Sequence, residues 1–65
     1  MQPHQERVVV EKHELDEKLD KLGAFLTGKI MHTLPDDEQA RLRRQYALMR
    51  DYSSILQERI EHFPA

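Results

Sequence analysis

Two apolar stripes on one predicted helix constrain this chain more than any other feature. Leu42, Met49, Leu56 and Phe63 repeat every seven residues, and Leu48, Ile55 and Ile60 form a second apolar set beside them. Such spacing marks an amphipathic helix. A single partner helix covers one stripe, and a second stripe left open would be unusual on a monomer. The chain has only 65 residues, and a domain of that size buries roughly 60% of the surface its unfolded form exposes. Cores this small are reinforced by disulfides, metals or association. There is no cysteine, and His4, His13, His32 and His62 lie far apart with no zinc-type spacing. Association with copies of itself is the route that remains.

The rest of the chain supplies the partner for the first stripe. Over residues 5–26, Val8, Leu15 and Leu22 repeat every seven, while Leu19, Phe25 and Leu26 widen the stripe. Glu14–Lys18 and Glu17–Lys21 have the i,i+4 spacing and order that favour ion pairs on a helix. The run Val8-Val9-Val10 has β-propensity, but three residues inside a helical pattern do not make a strand. Gly23 costs about 1 kcal/mol against alanine in a helix interior; either it permits a close backbone approach or it is merely tolerated. The helix is expected to stop at Thr27-Gly28, with Gly28 as a left-handed cap. The connection covers residues 27–35, in which Ile30, Met31 and Leu34 fold back over the end of the hairpin. Pro35-Asp36-Asp37-Glu38 reads as a helix start, because proline suits a first turn and acidic groups there complement the helix dipole. The second helix covers residues 36–62, with Pro64 beyond it. The expectation is one all-α domain, an antiparallel helical hairpin that assembles into a homo-oligomer.

Composition narrows the functional classes. The net charge is −2 with histidines neutral, which disfavours wrapping duplex nucleic acid, where many phosphates must be neutralised. A small anion needs only two or three well-placed cations. No stretch approaches the roughly 18 apolar residues of a membrane helix, and the N-terminus lacks a signal-peptide pattern. These features describe a soluble, intracellular protein. Nucleophilic catalysis needs a positioned base beside a serine, cysteine or threonine. Ser53 and Ser54 sit mid-helix with no glycine-rich elbow and read as small packing residues. Gly23 and Gly28 stand alone and form no phosphate loop. The chain is read as a non-enzyme without metal or cofactor.

Binding is the open class. Arg41, Arg43 and Arg44 lie together, with Arg50 and Arg59 further along. Arginine offers a planar fork matched to phosphate oxygens; equally, these residues can pair with Asp37, Glu38, Glu58 or the acidic face of the first helix. If Leu42, Met49, Leu56 and Phe63 are the a positions of a heptad, the d positions are Gln45, Tyr52 and Arg59. The same reasoning sets Lys18 between Leu15 and Leu22. Polar groups on a buried seam are costly unless paired, so they either specify oligomer geometry or line a pocket between protomers. Tyr52 alone also fits a core tyrosine with its hydroxyl at the rim.

The pattern Arg7-Val8-Val9, Glu14-Leu15-x-x-Lys18-Leu19-x-x-Leu22-x-x-Phe25-Leu26, Leu34-Pro35-x-x-Glu38-Gln39-x-x-Leu42-x-x-Gln45 and Met49-x-x-Tyr52-x-x-Ile55-Leu56-x-x-Arg59-Ile60 covers almost the whole chain. It resembles the helical-hairpin domain of bacteriophage anti-CBASS cyclic-oligonucleotide sponges, a domain shared with the anti-Thoeris sponge. The resemblance implies a hexamer, working in the cytoplasm of the infected bacterial host. It would sequester cyclic tri- and dinucleotide messengers without cleaving them, with no membrane and no duplex nucleic acid among its partners. Carried over, Lys18 corresponds to a phosphate-contacting lysine, with Lys21 as its rival. Arg59 corresponds to the arginine of a trinucleotide pocket, helped by Gln45 and Arg44, with Tyr52 on the same line. His4 and Arg7 are the candidate N-terminal contacts. The family's dinucleotide pocket stacks a base on an N-terminal aromatic, where this chain has only Pro3 and His4. Stacking of that kind contributes about 1–3 kcal/mol per base, so trinucleotides are the firmer expectation. A different class, a helical module that docks on a host protein, would use the same spare apolar face. A small DNA-binding regulator fits least, since no short turn sets up a recognition helix.

Overall fold

The computed structural model describes residues 1–64. Two helices, α1 over Pro3–Leu26 and α2 over Asp36–Glu61, flank a short 3-10 turn over Ile30–Thr33. Helix α1 begins two residues ahead of the position expected from its periodicity. Pro3 occupies the first helical position, where its missing N–H costs nothing, and the Gln2 N–H donates to Gln5 Oε1 at 2.9 Å.

The end of α1 differs from expectation. No glycine among the described residues has a positive φ, so Gly28 is not a left-handed cap. Thr27 stays in the right-handed region, and its hydroxyl donates to the Ala24 carbonyl at 3.1 Å. That bond satisfies a carbonyl the helix end would otherwise strand, and the chain then runs on into the 3-10 turn without reversing hand. Met31 folds back and is fully buried and Leu34 is half-buried, but Ile30, also expected to cover the hairpin end, is 62% exposed. A 3-10 turn has three residues per turn, so Ile30 and Met31 point in different directions. Pro35 sits at the N-cap of α2, one position ahead of the helix. The Gln39 side chain donates to the Leu34 carbonyl at 2.9 Å and ties the connection to α2.

The ion pairs also differ from those the spacing suggests. Among the described residues they are Lys12–Asp16 and Arg41 with both Asp37 and Glu38, while His13 Nε2 lies 3.0 Å from Glu17 Oε1, a contact that is ionic only when the imidazole is protonated. Glu14–Lys18 and Glu17–Lys21 do not form. Exposed pairs of this type contribute only about 0.3–0.5 kcal/mol each, too little to hold two long side chains against alternatives.

The seam between the helices follows a different register from the expected one. On α2 the residues turned inward are Leu42, Tyr46, Met49, Ser53, Leu56 and Ile60; on α1 they are Gln5, Val8, Lys12, Leu15, Leu19, Leu22 and Leu26. Steps of three and four alternate throughout, as a helix seam requires. The Leu42 set is therefore completed by the residues four further on, not three. Gln45, Tyr52 and Arg59 are exposed, and so is Lys18, because Leu19 takes the level expected for it. The choice follows from fit. A Cβ on Gly23 would lie 3.3 Å from Tyr46 Cε2, so the absent side chain is what lets the Tyr46 ring lie against α1. Ser53 is small, and its hydroxyl donates to Asp16 Oδ1 at 2.5 Å.

Burial is unevenly spread along the hairpin. Gln5, Val8, Ser53 and Leu56 are buried toward the chain ends and Met31 at the turn, whereas Leu15, Leu19, Leu22, Leu42 and Met49 in between are only half-buried. The molecule measures 49 × 15 × 14 Å and exposes 5200 Å². A compact monomer of this mass would expose about 4400 Å² by the usual size scaling. The hairpin is short of cover. No helix among the described residues is long and apolar enough to cross a membrane.

Candidate functional site

The exposed polar residues are ordered by the hydrogen bond between the Tyr52 hydroxyl and the Glu11 carboxylate, which bridges α1 and α2. Residues seven apart lie on one face of a helix, about 10 Å apart along its axis. The row containing Glu11 therefore includes His4 and Lys18, and the row containing Tyr52 includes Gln45 and Arg59. Because the helices run in opposite directions, one heptad toward the turn on α1 matches one heptad toward the turn on α2. Three levels result along one side of the hairpin: His4 with Arg59, Glu11 with Tyr52, and Lys18 with Gln45. All six residues are exposed.

This ladder gathers five of the eight residues singled out from sequence. Arg7 lies next to it on α1, one turn from His4 and Glu11. Lys21 lies in the same row as Arg7, three residues on from Lys18, whereas Arg44 is one residue from Gln45 and so turned away from the ladder row; both are exposed. Glu11 was not anticipated. Its role depends on the cross-hairpin register, which no local spacing in α1 reveals; an acidic residue seven before Lys18 was the only available hint. Tyr46 was missed for the same reason, and Gly23 was the signal that could have found it.

Charge along the hairpin is only partly paired. Arg41 is held by Asp37 and Glu38, and Arg43 donates to Gln39 Oε1 at 3.4 Å. For Lys18, Arg44, Arg50 and Arg59 no carboxylate lies within ion-pair distance among the described residues. The hydrogen bond to Glu11 pushes the Tyr52 hydroxyl above its ordinary value, with burial and the Glu11 charge adding to it and Arg59 opposing. Tyr52 is thus a neutral donor throughout the physiological range. Gln45 Nε2 rests 3.7 Å from Met49 Sδ, a weak contact that leaves its amide available.

Apolar surface adjoins the ladder. Leu48 is 61% exposed and Ile55 53%, and both lie beside Tyr52 on α2. Two recesses open at the end of the hairpin where the termini lie. One is lined by Ile55, Glu58, Arg59, Glu61 and His62, the other by Met1, Gln2, His4, Gln5 and Pro64. Each contains one member of the His4/Arg59 level. Among the described residues no cluster of three histidine or acidic side chains is placed to hold a metal ion.

The opposite side of the seam carries a second polar bridge. Asp16 accepts from Lys12 Nζ at 2.6 Å and from the Ser53 hydroxyl. These two bonds, Lys12 first, hold the Asp16 carboxyl below its ordinary range. Ser53 is thus a packing residue whose hydroxyl is engaged across the helices.

The Tyr52 side of the hairpin thus combines an exposed apolar strip with cations that have no carboxylate partner among the described residues. No curated protein and no solved structure matches the chain. A family model described as Sequestin matches residues 2–62, spanning both helices and the turn. By that match, the chain belongs to the Sequestin family.

Proposed function

We propose that this protein is a sponge for cyclic oligonucleotide second messengers. It takes up cyclic trinucleotides foremost and cyclic dinucleotides second, at junctions between copies of itself, and holds them without cleavage. In this reading it is a bacteriophage product that blocks CBASS-type immunity in the cytoplasm of the infected host. The observation that carries the reading is the ladder. It sets Lys18, Gln45, Tyr52 and Arg59 on one side of the hairpin, beside the exposed Leu48 and Ile55. Apolar cover from a second copy would close the strip, bringing cations from two chains toward one shared anion. Hydrogen bonds between charged partners are roughly twice as strong as neutral ones, and they strengthen as water is excluded. The name of the family, which speaks of sequestration, points the same way.

Calorimetry against a panel of cyclic tri- and dinucleotides, run beside a measurement of assembly mass, tests the proposal. The expected result is an oligomer, hexameric by the family resemblance, that binds a cyclic trinucleotide and returns it chemically intact after heat denaturation. A single-chain species that binds none of the panel would overturn it. The exposed Leu48 and Ile55 also favour a second reading, a module docking on a host protein; that protein would take up no nucleotide at all.

A further inference from the structure

A carboxylate is out of place on a surface that collects phosphates, and Glu11 lies in the middle of the ladder. Its Oε2 accepts the Tyr52 hydroxyl. Among the described residues no cation pairs with it, and Oε1 has no partner there. Each carboxylate oxygen accepts about two hydrogen bonds, so the Tyr52 bond orients the group without exhausting it. Lys18 and Arg59 stand one heptad away on either side, one on each helix. Structural cross-linking does not account for this residue well, because a hydrogen bond between two exposed groups adds little to stability.

We propose that Glu11 reads the base of the bound nucleotide and selects guanine. The inference rests on the sponge reading above and deepens it. Phosphates on this side are met by Lys18 and Arg59; Glu11 repels them and can attract only a donor. Guanine presents two adjacent donors, N1–H and the N2 amino group, that match the two oxygens of a carboxylate. Adenine presents a single amino group beside a ring acceptor, which faces the carboxylate with a like partial charge. Tyr52 holds the carboxylate in position and is a positioning residue with respect to the base.

The test compares two pairs of ligands: cyclic di-GMP against cyclic di-AMP, and a cyclic trinucleotide of two adenylates and one guanylate against its all-adenylate counterpart. The wild-type protein is expected to prefer the guanine-bearing member of each pair. In Glu11→Gln that preference falls by at least about tenfold, as one bidentate contact commonly provides. Binding of the all-adenylate ligands stays within about threefold or tightens, since a negative charge is removed. Circular dichroism and assembly mass establish that the variant is folded. Equal wild-type affinity within each pair, or an equal loss for both members in Glu11→Gln, overturns the role of Glu11 while leaving the sponge reading intact. Absence of binding to all four ligands by the wild type overturns both.

Discussion

The two sides of this hairpin solve the same problem in opposite ways. Each carries a hydrogen bond from a hydroxyl on α2 to a carboxylate on α1. On one side Asp16 receives both Lys12 and the Ser53 hydroxyl, and Ser53 is buried. Its charge is matched. On the other side Glu11 receives Tyr52 alone, both groups are exposed, and Lys18 and Arg59, one heptad away, have no carboxylate partner among the described residues. A polar cluster built for stability closes on itself, because unpaired charge is costly once water leaves. The proposed function draws on the second arrangement, in which unmatched charges lie beside exposed apolar surface.

The sharpest way to break that comparison is to charge the apolar strip. Leu48→Glu with Ile55→Glu should leave only single chains in place of the proposed oligomer, because unpaired carboxylates buried at an interface cost several kcal/mol. Light scattering reads the outcome, and an unchanged mass would remove this strip from any interface. Next in size, Arg59→Ala should weaken cyclic trinucleotide binding about 10- to 100-fold, as expected for loss of a charged hydrogen-bonding partner worth about 1.5–3 kcal/mol. Its melting temperature should stay near that of the wild type. Ser53→Ala should show the converse, losing about 1 kcal/mol of stability with ligand affinity unchanged in an intact assembly.

Acid should also separate the two sides. The native Asp16 carboxyl titrates below its unfolded value, so its contribution is present above about pH 3.9 and is lost as pH falls through the lower native value. Denaturant titrations in that range should show a falling stability that Asp16→Asn lacks. The group is 40% exposed, so solvent screening keeps the effect below about 1 kcal/mol. Tyr52→Phe is the smallest change. Removing one bond between exposed groups should alter stability by less than about 0.5 kcal/mol, and a larger loss would make the Glu11 side structural after all.

Sequence periodicity reveals both helices, because seven-residue repeats such as Leu42-Met49-Leu56 survive any choice of partner. It does not settle which neighbouring row completes the seam. From Leu42, both the +3 row of Gln45, Tyr52 and Arg59 and the +4 row of Tyr46, Ser53 and Ile60 satisfy a heptad. The +4 row wins through contacts made across the hairpin: Tyr46 over Gly23, and Ser53 on Asp16. The candidate ligand residues could be named without the fold, yet their alignment could not, since Glu11 and Tyr52 are 41 positions apart. The cap at Gly28 failed for a local reason: Thr27 had a hydroxyl able to satisfy the helix end.

The distribution of burial along the hairpin bears on how it moves. Both extremities are anchored, at one by Val8 and Leu56 and at the other by Met31, while the leucines of the midsection stay half in solvent. An isolated chain should therefore open from its waist, exchanging central amide hydrogens sooner than those near Leu56, contrary to the fraying common at helix tips. Docking of a neighbour against that waist would slow those same amides, so the pattern of protection would report assembly residue by residue.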